Sequence, residues 1–403
     1  MGWTEDLIRE VERWSAHNYH PLPVVIERGE GPWVWDVEGN RYLDMLSAYS
    51  AVNQGHRHPK IVAALVEQAQ RLTLTSRAFH NDQMGGFLRQ VCELLGYAKA
   101  LPMNTGAEAV ETAIKAVRKW GYTVKGVAAD AAEIVVCEEN FHGRTTTIVG
   151  FSSEEQYRHG FGPFTPGFKL IPYGDIDALR SAINRNTVGF LVEPIQGEGG
   201  VIVPPEGYLK AAAELCREAN VKLMADEIQT GLGRTGKLLA SEWENVRPDV
   251  VMLGKALGGG VYPVSVTLAD EEVMDVFTPG DHGSTFGGNP LAAAVGRAAL
   301  DVIVEEKLPR RADELGTWFM DELRAVDSAH VEQVRGRGLM IGVVIKESSG
   351  TARPFCEALM KRGILAKETH RQVVRFAPPL VITRDVLEEA LEQIRDVLQA
   401  PAA

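Results

Sequence analysis

Four short runs limit what this chain can fold into: "EIVVCEEN", "GFLVEPIQG", "VKLMADE" and "DVVMLGK". Each is nearly all apolar through its middle and stops at a charged residue or a glycine. Strands covered on both faces must read this way, because neither face meets water. Helical stretches such as "GYLKAAAELCREAN" lie between several of them. That alternation specifies an α/β fold with a mostly parallel, doubly wound sheet. After "GGNPLAAAVGRAALDVI" the texture changes to long helices around "RGRGLMIGVVI" and "ILAKETHRQVVRFAPPL", the pattern of a smaller α+β domain. The expected division is an N-terminal segment over 1–50, a large domain over 51–290 and a C-terminal small domain over 291–403.

Other local patterns are plainer. The chain starts with an amphipathic helix. Trp33, Trp35 and Val37 then alternate ahead of the turn "EGN", which predicts a hairpin. Ile61, Leu65 and Leu72 share one helical face. With 54 acidic and 42 basic residues the net charge is -12, which argues against nucleic acid or an anionic membrane as partner. No apolar run approaches a membrane span, and "MGWTEDLIREVERW" lacks the apolar centre of a signal peptide. Cys92, Cys137, Cys216 and Cys356 form no CxxC and read as reduced thiols. A cytoplasmic location is expected.

Ligands of open α/β sheets bind beyond the carboxyl ends of the strands. There the apolar runs meet Glu193, Glu198, Asp226 with Gln229, and Lys255. A lysine is costly to bury unpaired, so Lys255, at the end of a core strand and ahead of "GGG", asks for a chemical reason. "GLGRTGK" mimics a nucleotide loop, yet Leu238 stands where a P-loop needs a hydroxyl, and no helix opens after it. As a nucleotide site it would predict retained ATP or NAD. Thr105 and Glu108 have capping-box spacing, with Val110, Ile114 and Val117 as the buried face. By itself this is an ordinary helix start, although the backbone N–H groups after Gly106 also suit a phosphate. "HRH" at 56–58 reads as a turn feature, "RGRG" at 335–338 as a turn before a strand, and His142, without evident partners, as a packing residue.

Taken together, a phosphate seat, an acid, an aromatic ring at Phe141 and a lysine are the parts of a pyridoxal phosphate site. The stretches "LVEPIQGEGGVIVPPEGYL", "LMADEIQTGLGRTGK", "PDVVMLGKALGGG" and "HGSTFGGNPLAAA" resemble the class III pyridoxal-phosphate-dependent aminotransferases of fold type I, over nearly the whole chain. "AHNYHPLPV", "SAYSAVNQGH", "LTLTSRAF", "LPMNTGAEA", "RKWGYTVKG" and "FGPFTPGF" are similar to the branch of that family that transaminates ornithine at its δ-amino group.

The resemblance implies roles by position. Lys255 matches the lysine that holds the pyridoxal 5'-phosphate aldehyde and moves the proton, and Asp226 the partner of its ring nitrogen. Gln229 matches the residue near the ring hydroxyl and Phe141 the stacked aromatic, while Thr105, Gly106 and Ala107 match the phosphate seat. Ser284 and Thr285 match residues that reach the phosphate from a neighbouring subunit, which implies a homodimer with shared sites. Tyr19 and Arg144 match the pair that grips the α-amino and α-carboxylate groups of L-ornithine, and Tyr49 a further aromatic of the site. Arg375 matches the arginine for the α-carboxylate of L-glutamate, and Glu198 the acid that masks it while ornithine is bound. His142 departs from relatives that carry tryptophan there. The implied reaction moves the δ-amino group of L-ornithine to 2-oxoglutarate by ping-pong kinetics, with acetylornithine, 4-aminobutyrate or lysine ε-amino transfer as alternatives.

Overall fold

The computed structural model describes residues 2–400. All four apolar runs are strands, and they lie side by side in a seven-stranded sheet. Its order is Lys99–Met103, Ser265–Ala269, Val250–Leu253, Lys222–Asp226, Thr187–Val192, Glu133–Cys137 and Phe168–Ile171. Every neighbouring pair is parallel except the two made by Ser265–Ala269, which runs antiparallel to both its neighbours. Every residue of Thr187–Val192, Lys222–Asp226 and Val250–Leu253 is buried, the double covering that their apolar texture predicted. Because these strands are parallel, Glu193, Asp226 and Lys255 emerge at one edge of the sheet.

Three strands were not evident in the sequence. Ser265–Ala269 carries two hydroxyl residues, and both are satisfied inside. Ser265 Oγ donates to Thr105 O at 2.7 Å and Thr267 Oγ1 to Ala109 O at 2.8 Å. These bonds stitch the strand to helix Gly106–Trp120, whose Val110, Ile114 and Val117 are buried as expected.

The hairpin forms, Trp33–Asp36 against Arg41–Asp44, and gains Ile26–Glu30 and the parallel strand Ile364–Leu365. Its inner face is the opposite of the one the tryptophans suggest. Val34 and Asp36 are buried, while Trp33 and Trp35 lie half-exposed under Arg41 and Arg28, at 4.2 and 3.9 Å. Asp36 is tolerated inside because it accepts bonds from Glu38 N, from the backbone and side-chain amides of Asn40, and from Tyr42 Oη. Leu72 also departs from expectation. Helix Pro59–Arg71 ends before it, and Leu72 is exposed.

Toward the C-terminus, Val331–Arg337, Met340–Ile345, Val373–Phe376 and Lys367–Thr369 form an antiparallel sheet in that order. "RGRG" is therefore mostly strand, with the turn at Gly338–Leu339. One buried apolar cluster runs from Leu43 through Leu253 to Leu398, so this sheet and its helices share a core with the larger one. "GLGRTGK" is a structural fastener. Its fully buried Arg234 donates to Leu339 O, Pro378 O and Asn53 Oδ1 at 2.6–2.8 Å, and burial pushes the guanidinium pKa down to about 9.

"HRH" is held by His56–Asp44 and His58–Glu306 pairs at 2.8 and 2.9 Å. Among the described residues there is no metal-ligating cluster, and no helix is long and apolar enough to cross a membrane.

Candidate active site

Beyond the strand ends lies a cavity of about 200 Å³ lined by Lys255, Asp226, Gln229, Phe141, Gly106 and Ala107, among others. Lys255 has φ +45, a left-handed conformation that a non-glycine residue adopts only where its surroundings enforce it. Gly259 and Gly260, at φ +56 and +71, complete the turn. Burial lowers the Lys255 pKa, against the opposing pull of Glu198 and Asp226. The amine is thus poised toward its neutral, nucleophilic form.

Asp226 is held from two sides. Its Oδ1 accepts from Ile228 N at 3.1 Å, and its Oδ2 lies 2.7 Å from His142 Nδ1. His142 therefore has a partner, and reading it as packing alone was wrong. The two residues are 84 positions apart, so only the fold reveals the pair. The other ring nitrogen, His142 Nε2, is buried without a hydrogen bond. Gly143, at φ +130, brings this loop onto the helix start, where a Cβ would lie 2.8 Å from Ala107 Cβ. Glu193 also lines the cavity, and its Oε2 is buried and unpaired. Burial, reinforced by the charge on Asp226, pushes its pKa well above the usual carboxyl range.

Helix Gly106–Trp120 opens with the full capping box. Thr105 Oγ1 accepts from Glu108 N at 3.2 Å, and Glu108 Oε2 accepts from Thr105 N at 2.8 Å. Thr105 is spent on the cap and does not line the cavity, whereas the first-turn residues Gly106 and Ala107 do. A helix start carries unsatisfied N–H groups and a partial positive charge, which suit a phosphate.

Next to Gln229 lies an ion pair. Arg375, only 1 % exposed, donates through Nη1 to Glu198 Oε1 at 2.7 Å and to Gln229 Oε1 at 3.3 Å. Gln229 Nε2 reaches the same Glu198 oxygen at 3.1 Å. A Cβ on Gly197 would stand 1.9 Å from Gln229 Oε1, so glycine is needed for this approach. Arg375 Nε and Nη2 are buried with no acceptor. The Tyr49 ring centroid is 4.9 Å from the guanidinium.

Tyr49 stands in a left-handed turn, Ser47–Ser50, with four consecutive positive φ values on non-glycine residues, at a cost of roughly 1–2 kcal/mol each. Asp44 Oδ1 holds the turn by accepting from Leu46 N and Ser47 N, both at 2.8 Å, and Ser47 Oγ donates to Ala377 O at 2.7 Å. Such strain, held in place from outside, is typical of functional sites.

Arg144 is exposed and makes no ion pair among the described residues. Its guanidinium lies 3.7 Å from the Tyr157 ring centroid and 5.4 Å from that of Phe141. Tyr19, also exposed, lines with Tyr49 a second, mainly apolar cavity of about 360 Å³. Ser284 and Thr285 do not line the Lys255 cavity of their own chain. Ser284 Oγ accepts from Asn104 Nδ2 at 2.9 Å, and Thr285 is exposed. Ile228 and Glu193 line the cavity as well, and Ile228 had no sequence signal beyond its place two residues after Asp226.

A family model for class III aminotransferases matches residues 14–398. The ornithine aminotransferase of Geobacillus sp. strain WCH70 is 61% identical over 397 residues, covering 98% of this chain and 99% of that one. Ornithine aminotransferase 2 of Staphylococcus aureus is also 61% identical, over 99% and 100% of the two chains. Among solved structures, the ornithine aminotransferase of Toxoplasma gondii superposes with a TM-score of 0.97 at 48% identity, over 98% and 94% of the chains. An acetylornithine aminotransferase from Elizabethkingia anophelis superposes with a TM-score of 0.90 at 51% identity, over 99% of each. The cavity, its lysine and these similarities agree: the chain belongs to the class III aminotransferases.

Proposed function

We propose that this enzyme moves the δ-amino group of L-ornithine to 2-oxoglutarate, giving L-glutamate and glutamate 5-semialdehyde, which cyclises to pyrroline-5-carboxylate. The observation that carries this reading is the Arg375–Glu198 pair with two guanidinium nitrogens, Nε and Nη2, left without an acceptor. A pocket that must accept first a dibasic amino acid and then a diacid needs a cation it can hide and expose. An arginine already oriented by a carboxylate, with spare donors, fits that need. Glu198 swinging away would free Arg375 for the α-carboxylate of glutamate or 2-oxoglutarate. With Glu198 in place, a donor carboxylate is directed to Arg144 instead. Tyr19 holds the α-amino group there, which leaves the δ-amine to reach Lys255.

Pyridoxal phosphate, the family's cofactor, supplies an aldehyde that carries the amino group and a ring that accepts electrons from the reacting carbon. The residues present fit it. Lys255 Nζ would hold the aldehyde and then move the proton. Asp226, backed by His142, would hold a proton on the ring nitrogen, and Phe141 with Ile228 would pack against the ring. Gly106 and Ala107 N–H groups would take the phosphate. We further infer a homodimer in which Ser284 and Thr285 serve the other copy's phosphate seat. The exposure of Thr285 beside Phe286, itself 48% exposed, supports that reading. A division at 50 and 290 then assigns Tyr19 and Tyr49, Lys255 and Asp226, and Arg375 to three different parts that close on one substrate. The four free thiols suit a reducing cytoplasm.

The test is the visible spectrum of the holoenzyme before and after ornithine alone, with pyrroline-5-carboxylate trapped in the same cuvette. Loss of the visible band with trapped product supports the reading. A band that ignores ornithine but is lost with N-acetylornithine or 4-aminobutyrate overturns the donor assignment.

A further inference from the structure

We propose that Tyr157 is a positioning residue for the amino donor. Its ring face fixes the Arg144 guanidinium and leaves every N–H of that arginine free for a substrate carboxylate. The proposal rests on the ornithine reading, in which Arg144 receives the donor's carboxylate.

Arg144 has a problem that Arg375 does not share. It is exposed, no acid among the described residues holds it, and a free arginine side chain loses about 2 kcal/mol of rotamer entropy when a substrate pins it. A carboxylate would orient it but would also occupy its donors and cancel the charge that attracts the substrate. An aromatic face does neither. It attracts the cation through the ring quadrupole and leaves the N–H groups, which lie in the guanidinium plane, unspent. The structure supplies that face. The Arg144 Cζ is 3.7 Å from the Tyr157 centroid, the closest of the cation–ring contacts found.

Tyr157 is itself steadied. It is half-buried and packs edge-on against Phe141, with centroids 6.1 Å apart and planes at 80°. Its backbone N–H donates to Glu154 O at 3.0 Å. Phe141 lines the Lys255 cavity, so the chain of contacts Phe141–Tyr157–Arg144 sets the guanidinium relative to the reacting amine. Tyr157 also shares a small cavity of about 120 Å³ with Phe141 and with Glu198, the partner of Arg375. Its hydroxyl makes no hydrogen bond among the described residues, so the ring is the working part.

The experiment measures each half-reaction separately in holoenzyme carrying Tyr157→Leu or Tyr157→Phe. For Tyr157→Leu, KM for ornithine should rise about twofold to fivefold, the range of a lost cation–ring contact at an exposed site, with KM for 2-oxoglutarate and the melting temperature unchanged. Tyr157→Phe should restore the parent's KM. Should the leucine variant lose solubility, Tyr157→Gln repeats the comparison. Equal shifts for both substrates, no shift, or failure of phenylalanine to restore KM would overturn the clamp alone. A parent enzyme that ignores ornithine would overturn the donor assignment and this proposal with it.

Discussion

Arg375 and Arg144 carry the same guanidinium in opposite surroundings. Arg375 is buried on a strand of the C-terminal sheet and held by a carboxylate and an amide. Arg144 is exposed on a loop and held by aromatic faces alone. A buried cation without a partner would be destabilising by several kcal/mol, so Arg375 needs Glu198 whenever no substrate carboxylate is present. An exposed cation is already solvated and needs only orientation. The difference separates two kinds of guanidinium. On the reading proposed above, one would be neutralised at rest and open by exchange of acids, while the other would stay charged and ready. An enzyme alternating between a dibasic and a diacidic substrate can use the first as its selector and the second as a fixed anchor.

Removing Arg375 is the hardest blow to this contrast. Arg375→Leu leaves Glu198 without its cation, and breaking such a pair costs about 3–5 kcal/mol. The half-reaction with 2-oxoglutarate should slow by roughly a hundredfold to a thousandfold, and the half-reaction with ornithine far less. Single-turnover spectra measure both, and equal losses would mean that the arginines do not divide the substrates. Glu198→Gln sharpens the same contrast with a smaller effect. It keeps a hydrogen bond to Arg375 but removes the charge that hides it. The efficiency with ornithine should fall about tenfold, the scale of one charge-assisted bond, while glutamate becomes the better amino donor. Unchanged preference between the two would remove Glu198 from the selector role.

What could be read from the sequence follows from how far apart the cooperating residues lie. Strands Thr187–Val192, Lys222–Asp226 and Val250–Leu253 announce themselves because burial on both faces erases every polar position. The cap at Thr105 is legible because its partner, Glu108, is three residues away. Lys255 and Asp226 stand out because charge is abnormal at the end of a buried strand. Ser265–Ala269 hides because its hydroxyls are satisfied by helix carbonyls 158 and 160 positions away. The hairpin's two faces could not be told apart, since Trp33 and Trp35 look like core until arginines are found covering them. His142 with Asp226, and Arg375 with Glu198, join residues 84 and 177 positions apart. Pattern and spacing carry nothing about such pairs, and for the second the family resemblance was the only guide.

The smallest expected effect is on stability and bears on whether the selector is charged at rest. Burial alone would raise the Glu198 pKa, but the Arg375 charge and hydrogen bond outweigh it, and the folded value lies below the ordinary 4.5. A carboxyl whose pKa is lowered on folding releases its proton more readily in the folded state. Its contribution is therefore fully present above about pH 4.5 and is lost as pH falls through the folded value. Each unit of lowering is worth about 1.4 kcal/mol. Glu198→Gln has no such titration. The melting temperature of the parent should thus exceed that of the variant near neutrality, and the gap should close as pH is taken below 4. A gap that stays constant from pH 7 to pH 3 would mean that Glu198 is not ionised beside Arg375. The resting pocket would then carry an unneutralised positive charge at both arginines, and the contrast between them would reduce to depth of burial.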